Sequence, residues 1–202
     1  MNILHAEDQS MLREAMEQLL MLTGKFKSVI SVRNGREAIE NLNKDIDVAI
    51  LDIEMPYIDG LDVLNYIREH NISCKVIIVT TFKRPGYFEK ALNLNVDAYV
   101  LKERSVDDLI LTIDKVMNGQ KEYSQELLPM MLTKNPLNEK EQAILQLIGE
   151  GLSSKEISEQ LYLSHGTVRN YTSIITEKLG AENKINAWRI ASDFGFIKSL
   201  SN

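Results

Sequence analysis

Residues 48–52, VAILD, and 75–80, KVIIVT, are nearly unbroken apolar runs rich in Val and Ile, and each ends on a polar residue. Runs this short and this apolar suit strands buried on both faces, at the centre of a parallel sheet covered by helices. NILHA (2–6), KSVISV (27–32) and AYVLK (98–102) complete a set of five strand candidates. Between them lie amphipathic patterns: QSMLREAMEQLLML, GREAIENLNK, DGLDVLNYIREH, PGYFEKALNLN and SVDDLILTIDKVMNG. In the third, Leu61, Leu64 and Ile67 recur at helical spacing. Five strands each followed by a helix predict an α/β domain with a five-stranded, doubly wound parallel sheet.

Near Gly119 the pattern changes. QKEYSQELLPMMLTKNP is polar, irregular and closed by Pro136, so residues 120–136 read as a linker with one short helix around Gln125 to Leu132. Only helices are expected after it. Asn138 with Glu141, and Ser153 with Glu156, have the spacing of capping boxes opening LNEKEQAILQLIGEG and SSKEISEQL. Ser164 caps a third helix, HGTVRNYTSIITEKLG, and KINAWRIASDFG forms a fourth. Short helices joined by three or four residues predict an all-α helix-turn-helix domain over 137–202, after an α/β domain over 1–119.

The composition excludes several classes. At 44% apolar and 26% charged, the 202 residues are neither a disordered chain nor a fibrous repeat. The single cysteine, Cys74, excludes an internal disulfide framework and a cysteine-rich zinc module. Its setting in NISCKVIIV suggests nothing that would lower its pKa. His5, on the first strand, reads as a packed or hydrogen-bonded residue, and His70 and His165 are too scattered for a metal site. MNILHAEDQSML lacks the basic region of a signal peptide, and no apolar run is long enough to span a bilayer. A cytoplasmic chain with no direct membrane insertion is expected. The net charge of -6 is uneven: residues through Gly119 carry 14 basic and 19 acidic side chains, and 164–202 carry 5 and 3. Any attraction for nucleic acid has to come from the final third.

In an open parallel sheet the ligand end is the carboxyl end of the strands. Glu7 and Asp8 follow the first strand candidate, Asp52 ends the third, Thr80 ends the fourth and Lys102 follows AYVL. If those strands are neighbours, three carboxylates meet a hydroxyl and an ammonium. Carboxylates repel one another unless a hard cation sits among them, and Mg²⁺ has the required preference for oxygen. A carboxylate is also a nucleophile toward phosphorus, forming an acyl phosphate.

HAED, LDIEMPYIDG, VTT and AYVLK, in this order and spacing, resemble the receiver domain of bacterial two-component response regulators over roughly residues 1–120. The resemblance implies a flavodoxin-like receiver in which Asp52 accepts a phosphoryl group from a sensor histidine kinase. It implies Asp8 as a direct Mg²⁺ ligand, Glu7 as a ligand largely through water, and the main-chain carbonyl of Glu54 as a third. By the same resemblance Thr80 hydrogen-bonds the phosphoryl group, Lys102 pairs with it, and Tyr99 is the switch aromatic. Met55-Pro56 and Asp59-Gly60 match the loop after the acceptor, where a fixed proline φ and a permissive glycine are expected. A haloacid-dehalogenase-type phosphatase is excluded, because Glu54 stands where that chemistry wants a second aspartate and Pro56 where it wants a threonine. Self-catalysed dephosphorylation remains compatible.

Residues 137–198 resemble the LuxR-type, or NarL/FixJ-type, helix-turn-helix through Glu141, Gly151, Glu156, Ile157, Leu161, Ser164, Thr167, Val168, Lys178 and Leu179. The resemblance implies that the helix from about His165 to Lys178 enters the major groove of double-stranded promoter DNA. Arg169, Asn170 and Ser173 are the candidates for base edges. Thr167, Tyr171 and Lys178 are candidates for phosphates, and Val168, Ile174 and Ile175 face the core. VTTFKRPGYFEKAL resembles the DesR-like branch, whose partners are membrane sensor kinases of the DesK type. The combined expectation is a transcription regulator that forms a homodimer on phosphorylation, through repacking of Thr80, Tyr99 and the helix near Pro85. The competing expectation is an adaptor whose helical domain binds protein. Trp188 reads either as core or as a second dimer contact.

Overall fold

The computed structural model describes residues 1–198, and the chain divides into two compact units: residues 1–83 with 90–128, and residues 84–89 with 129 onward. Along the chain run β1 (Asn2–Ala6), α1 (Ser10–Leu22), β2 (Ser28–Val32), α2 (Gly35–Asn41), β3 (Val48–Leu51), α3 (Gly60–Glu69), β4 (Lys75–Thr80), α4 (Pro85–Asn93), β5 (Ala98–Leu101), α5 (Val106–Met117) and β6 (Glu122–Tyr123). A 3-10 helix (Gln125–Leu132) is followed by α6 (Glu139–Gly149), α7 (Ser154–Gln160), α8 (His165–Lys178) and α9 (Lys184–Asp193).

All the pairings of the sheet are parallel, in the order β2-β1-β3-β4-β5-β6. The apolar runs behave as their composition requires: all of β3 and β5, and all of β4 except Lys75, are buried. Ile3, Val48, Ile50, Ile77, Val79 and Val100 pack with Leu109, Ile113 and Val116 of α5 in one core.

The expectation of five strands is corrected to six. Glu122 and Tyr123, inside the stretch read as linker, pair in parallel with Ala98 and Tyr99. Ser124 continues the attachment, with its N–H donating to the Tyr99 carbonyl and its hydroxyl accepting from the Leu101 N–H. Two residues are too few to show alternation, so the strand had no pattern to read. It covers the otherwise open main-chain edge of β5.

Gly60 has a different role from the one expected of it. Its φ is not positive; a Cβ there would stand 2.0 Å from the Asp52 carbonyl oxygen. The glycine lets α3 begin directly against the main chain of Asp52, with Gly60 N–H on the Ile53 carbonyl and the Asp59 side chain capping Asp62. The left-handed residue of this loop is Tyr57, at φ 69°.

In the second unit, Ile144, Leu145, Ile148, Ile157, Val168, Ile175, Ala187 and Ala191 form the core, with Trp188 packed against them. Both predicted capping boxes are present, at Asn138/Glu141 and Ser153/Glu156, and Ser164 caps α8. Trp188 lies against Gly149 so closely that a Cβ on that glycine would overlap its indole, which accounts for Trp188 as packing. Among the described residues no helix is long and apolar enough to cross a membrane.

Replacing Gly60 with alanine forces main chain apart beside Asp52. Gly60→Ala is expected to lower the stability of the chain by about 1–3 kcal/mol, read from urea unfolding monitored by circular dichroism.

Candidate functional site

The strand order reverses between β1 and β3, which places the topological switch point beside the ends of those two strands. Parallel pairing aligns the strands so that Glu7 and Asp8 after β1, Asp52 after β3, Thr80 at the end of β4 and Lys102 after β5 emerge on one rim. Main-chain bonds hold each in place: Asp52 N–H donates to Ala6, Glu7 N–H to Val32, and Lys102 N–H to Thr80.

The carboxylates of Glu7, Asp8 and Asp52 offer oxygens all within 4.8 Å of one another. Glu7 and Asp52 are only 2% and 5% exposed, whereas Asp8 faces solvent. The Lys102 ammonium reaches both buried acids, at 2.7 Å from Glu7 Oε2 and 2.9 Å from Asp52 Oδ2. Asp52 Oδ1 accepts from the Ile53 N–H at 2.8 Å. Three acids and one ammonium leave an excess of negative charge among oxygen donors, the chemistry that a hard divalent cation neutralises. Glu54, two residues past Asp52, is half-buried in the same loop.

Burial pushes the Asp52 carboxyl from 3.8 to about 6; Lys102 pulls it down and Glu7 pushes it further up. For Lys102, burial works against the charge, but Asp52 and Glu7 outweigh it and raise the ammonium above its ordinary value. His5, buried on β1 beneath the acids, is pushed down to about 4 by burial and by the charges of Lys102 and Arg13, so it is neutral at pH 7.

Thr80 is fully buried, and its hydroxyl oxygen accepts from the Phe82 N–H at 3.1 Å, which leaves its proton free to donate. Tyr99 is also fully buried, on β5. One residue of this rim had no signal in the sequence: Arg13 of α1 donates to the carbonyls of Glu7 at 2.7 Å and Asp8 at 3.1 Å, fixing the turn that carries both acids. An arginine on an amphipathic helix carries no mark of that task.

On α8, Arg169, Asn170 and Ser173 are exposed. At about 100° per residue they share one arc of the helix about 100° wide. Val168 and Ile175 are buried on the core side, and Ile174 is half-buried. The three phosphate candidates stand elsewhere. Thr167 is half-buried, with its hydroxyl 2.8 Å from that of Ser164. Tyr171 packs against the core, with the Lys140 ammonium 6.0 Å over its ring. Lys178 donates to both oxygens of Glu141 at 2.8 Å. Burial opposes ionisation of Glu141, but Lys178 and the Asn138 N–H prevail and hold its carboxyl below the ordinary value.

A carboxyl whose pKa is higher folded than unfolded binds its proton more tightly in the folded state, so stability is lost as pH rises between the two values. For Asp52 that window runs from 3.8 to about 6. Without divalent cations, Asp52→Asn is expected to stabilise the chain at pH 7.5 by roughly 3 kcal/mol, with the gain shrinking as pH falls through 6 toward 4. Thermal melts in chelator across that range check both sign and window.

Residues 3–114 match the family described as response regulator receiver domain, and residues 135–191 match bacterial regulatory proteins of the luxR family. The transcriptional regulatory protein YvfU of Bacillus subtilis is 44% identical over 194 residues, 95% of this chain and 97% of that protein. The transcriptional regulatory protein DesR of the same organism is 39% identical, over 98% of this chain and 99% of its own length. RcsB of Salmonella enterica serovar Typhimurium, bound to a promoter in the presence of the phosphomimetic BeF3-, is similar at a TM-score of 0.68 and 27% identity, covering 96% of this chain and 98% of its own. The chain therefore belongs to the response-regulator family, with a receiver domain followed by a LuxR-type DNA-binding domain, the make-up of a transcription regulator.

Proposed function

We propose that Asp52 accepts a phosphoryl group from a sensor histidine kinase and that the phosphorylated chain dimerises and binds promoter DNA through α8. The observation that carries the reading is the meeting of Glu7, Asp8 and Asp52 within 4.8 Å, with Lys102 on Asp52, at the switch point of a parallel sheet. On this reading the receiver spans 1–119, a linker 120–136 and the DNA-binding domain 137–202, and the chain works in the cytoplasm. The likeness to DesR makes a DesK-like membrane kinase the partner to try first.

In the transfer, an Asp52 oxygen forms a bond to phosphorus as the P–N bond of the kinase phosphohistidine breaks, and the imidazole leaves with that electron pair. Asp8, Asp52 and the Glu54 carbonyl, with Glu7 through water, would hold a Mg²⁺ ion, which would supply charge neutralisation at the phosphoryl oxygens. Lys102 already sits 2.9 Å from Asp52, so pairing with a phosphoryl oxygen requires only that it exchange one acceptor for another. Thr80 donates its free hydroxyl proton to a second oxygen. Drawing Thr80 toward the phosphoryl group repacks the surroundings of Tyr99 and the start of α4, which favours the dimer. The same site returns to its resting state by hydrolysis of the acyl phosphate, a self-dephosphorylation that needs no second enzyme.

The recognition surface is the exposed arc of Arg169, Asn170 and Ser173. Arginine bonds guanine and asparagine bonds adenine in two-pronged fashion. A dimer presents two α8 helices to two half-sites, which a single helix-turn-helix needs for specific affinity.

Incubation with Mg²⁺ and acetyl phosphate is expected to add one phosphoryl group at Asp52 by mass spectrometry and to shift sedimentation from monomer to dimer. Asp52→Ala should keep its fold and lose both responses; dimerisation of that variant with the phosphodonor would overturn the assignment. In a gel shift with a promoter fragment that the parent binds, Arg169→Ala is expected to weaken binding about tenfold or more. Retention of parental affinity would remove Arg169 from the reading surface, and failure of the parent itself to bind promoter DNA would favour an adaptor role for the helical domain.

A further inference from the structure

Four non-glycine residues of the described chain have a positive φ: Tyr57 at 69°, Asn71 at 51°, Asn95 at 55° and Tyr162 at 53°. Asparagine takes that left-handed conformation readily, because its short amide bonds the local main chain. A tyrosine there is out of place. Burial does not explain either one, since Tyr57 is 78% exposed and Tyr162 is 96% exposed. Tyr57 at least has the Arg36 guanidinium 5.2 Å over its ring. Among the described residues, no side-chain hydrogen bond or ring contact reaches Tyr162.

The turn around Tyr162 explains why the main chain cannot relax. Tyr162 N–H donates to Glu159 and Leu163 N–H to Ser158, reversing the chain after α7. Leu161 and Leu163 on either side pack against the core of the second unit. With both neighbours anchored, residue 162 is left-handed whatever its side chain, and that side chain projects into solvent. Asparagine or glycine would fill the position with less strain and no loss of packing. What tyrosine adds is an aromatic hydroxyl, displayed two residues before Ser164, the cap of α8. The first turn of α8 carries no acidic residue and begins with main-chain N–H groups that have no partner within the helix, an end that attracts anions.

We propose that Tyr162 is a DNA-backbone contact: its phenol donates a hydrogen bond to a phosphate oxygen beside the bases that α8 reads. The proposal rests on the DNA-binding reading given above and names a residue that reading did not include. A phosphate is the acceptor that fits, because a neutral hydroxyl on the turn outside the recognition helix positions the duplex without reading its sequence.

The test uses the full chain, activated with beryllofluoride, and fluorescence anisotropy with a labelled duplex of random sequence at low salt. Tyr162→Phe removes only the hydroxyl, and Tyr162→Asn removes the phenol while suiting the left-handed turn. Both are expected to weaken binding by about three- to tenfold. The slope of log affinity against log salt should stay at the parental value, because a neutral donor displaces no counterion. Tyr162→Asn should also melt no lower than the parent. Parental affinity in Tyr162→Phe overturns the proposal, and so does a lowered melting temperature in Tyr162→Asn, which would mark a role in folding. If the parent itself does not bind the duplex, the DNA-binding reading fails and takes this contact with it; binding by all three proteins to the same degree removes the contact alone.

Discussion

One ammonium between two buried carboxylates is the constraint on which the receiver end of the molecule turns. Lys102 lies 2.7 Å from Glu7 and 2.9 Å from Asp52, and both acids have almost no access to water. An ion group of this kind is strained electrostatically, since one positive charge cannot fully compensate two desolvated negative ones plus the exposed Asp8 beside them. Burial is the main reason the Asp52 carboxyl is raised; Lys102 offsets part of that rise and Glu7 adds to it. The fold supplies the enforcement. Parallel strands bring the acids to one rim, Gly60 lets α3 start against the Asp52 main chain, and Arg13 pins the carbonyls of Glu7 and Asp8. In such a group any change in charge, at Asp52 or from a cation among the oxygens, alters the electrostatic balance strongly.

The second unit uses charge for the opposite purpose. Glu141 is buried too, but it is fully matched: its oxygens accept from Lys178 and from the Asn138 N–H. This ties the first turn of α6 to the last turn of α8. One carboxylate thus closes the capping box of α6 and anchors α8. With Val168 and Ile175 in the core, the rotation of α8 about its own axis is determined, and Arg169, Asn170 and Ser173 are left facing outward. Lys178 therefore has a structural duty that its charge alone does not announce.

Much of this was legible in the residues themselves because it depends on short-range physics. Val- and Ile-rich runs became central strands, the Asn138/Glu141 and Ser153/Glu156 spacings became capping boxes, and the short helix from Gln125 to Leu132 formed where a helix was expected. The order of HAED, LDIEMPYIDG, VTT and AYVLK carried the acidic rim as well, since strand ends in a parallel sheet converge whatever lies between them.

What the sequence determined, then, was the set of elements and the polar residues at their ends, through hydrophobic period and capping chemistry that act within a few residues. The tertiary structure decided the rest. It made a sixth strand of Glu122 and Tyr123, too short to have a period, by offering them the open edge of β5. It gave Gly60 the task of close approach and put the left-handed turn of that loop at Tyr57, where no residue pattern marked it. It turned Arg13 into a clamp on the turn between β1 and α1, and Lys178 into the partner of Glu141, 37 residues away along the chain. Such pairings are set by which surfaces the packed elements bring together, and no local pattern encodes them.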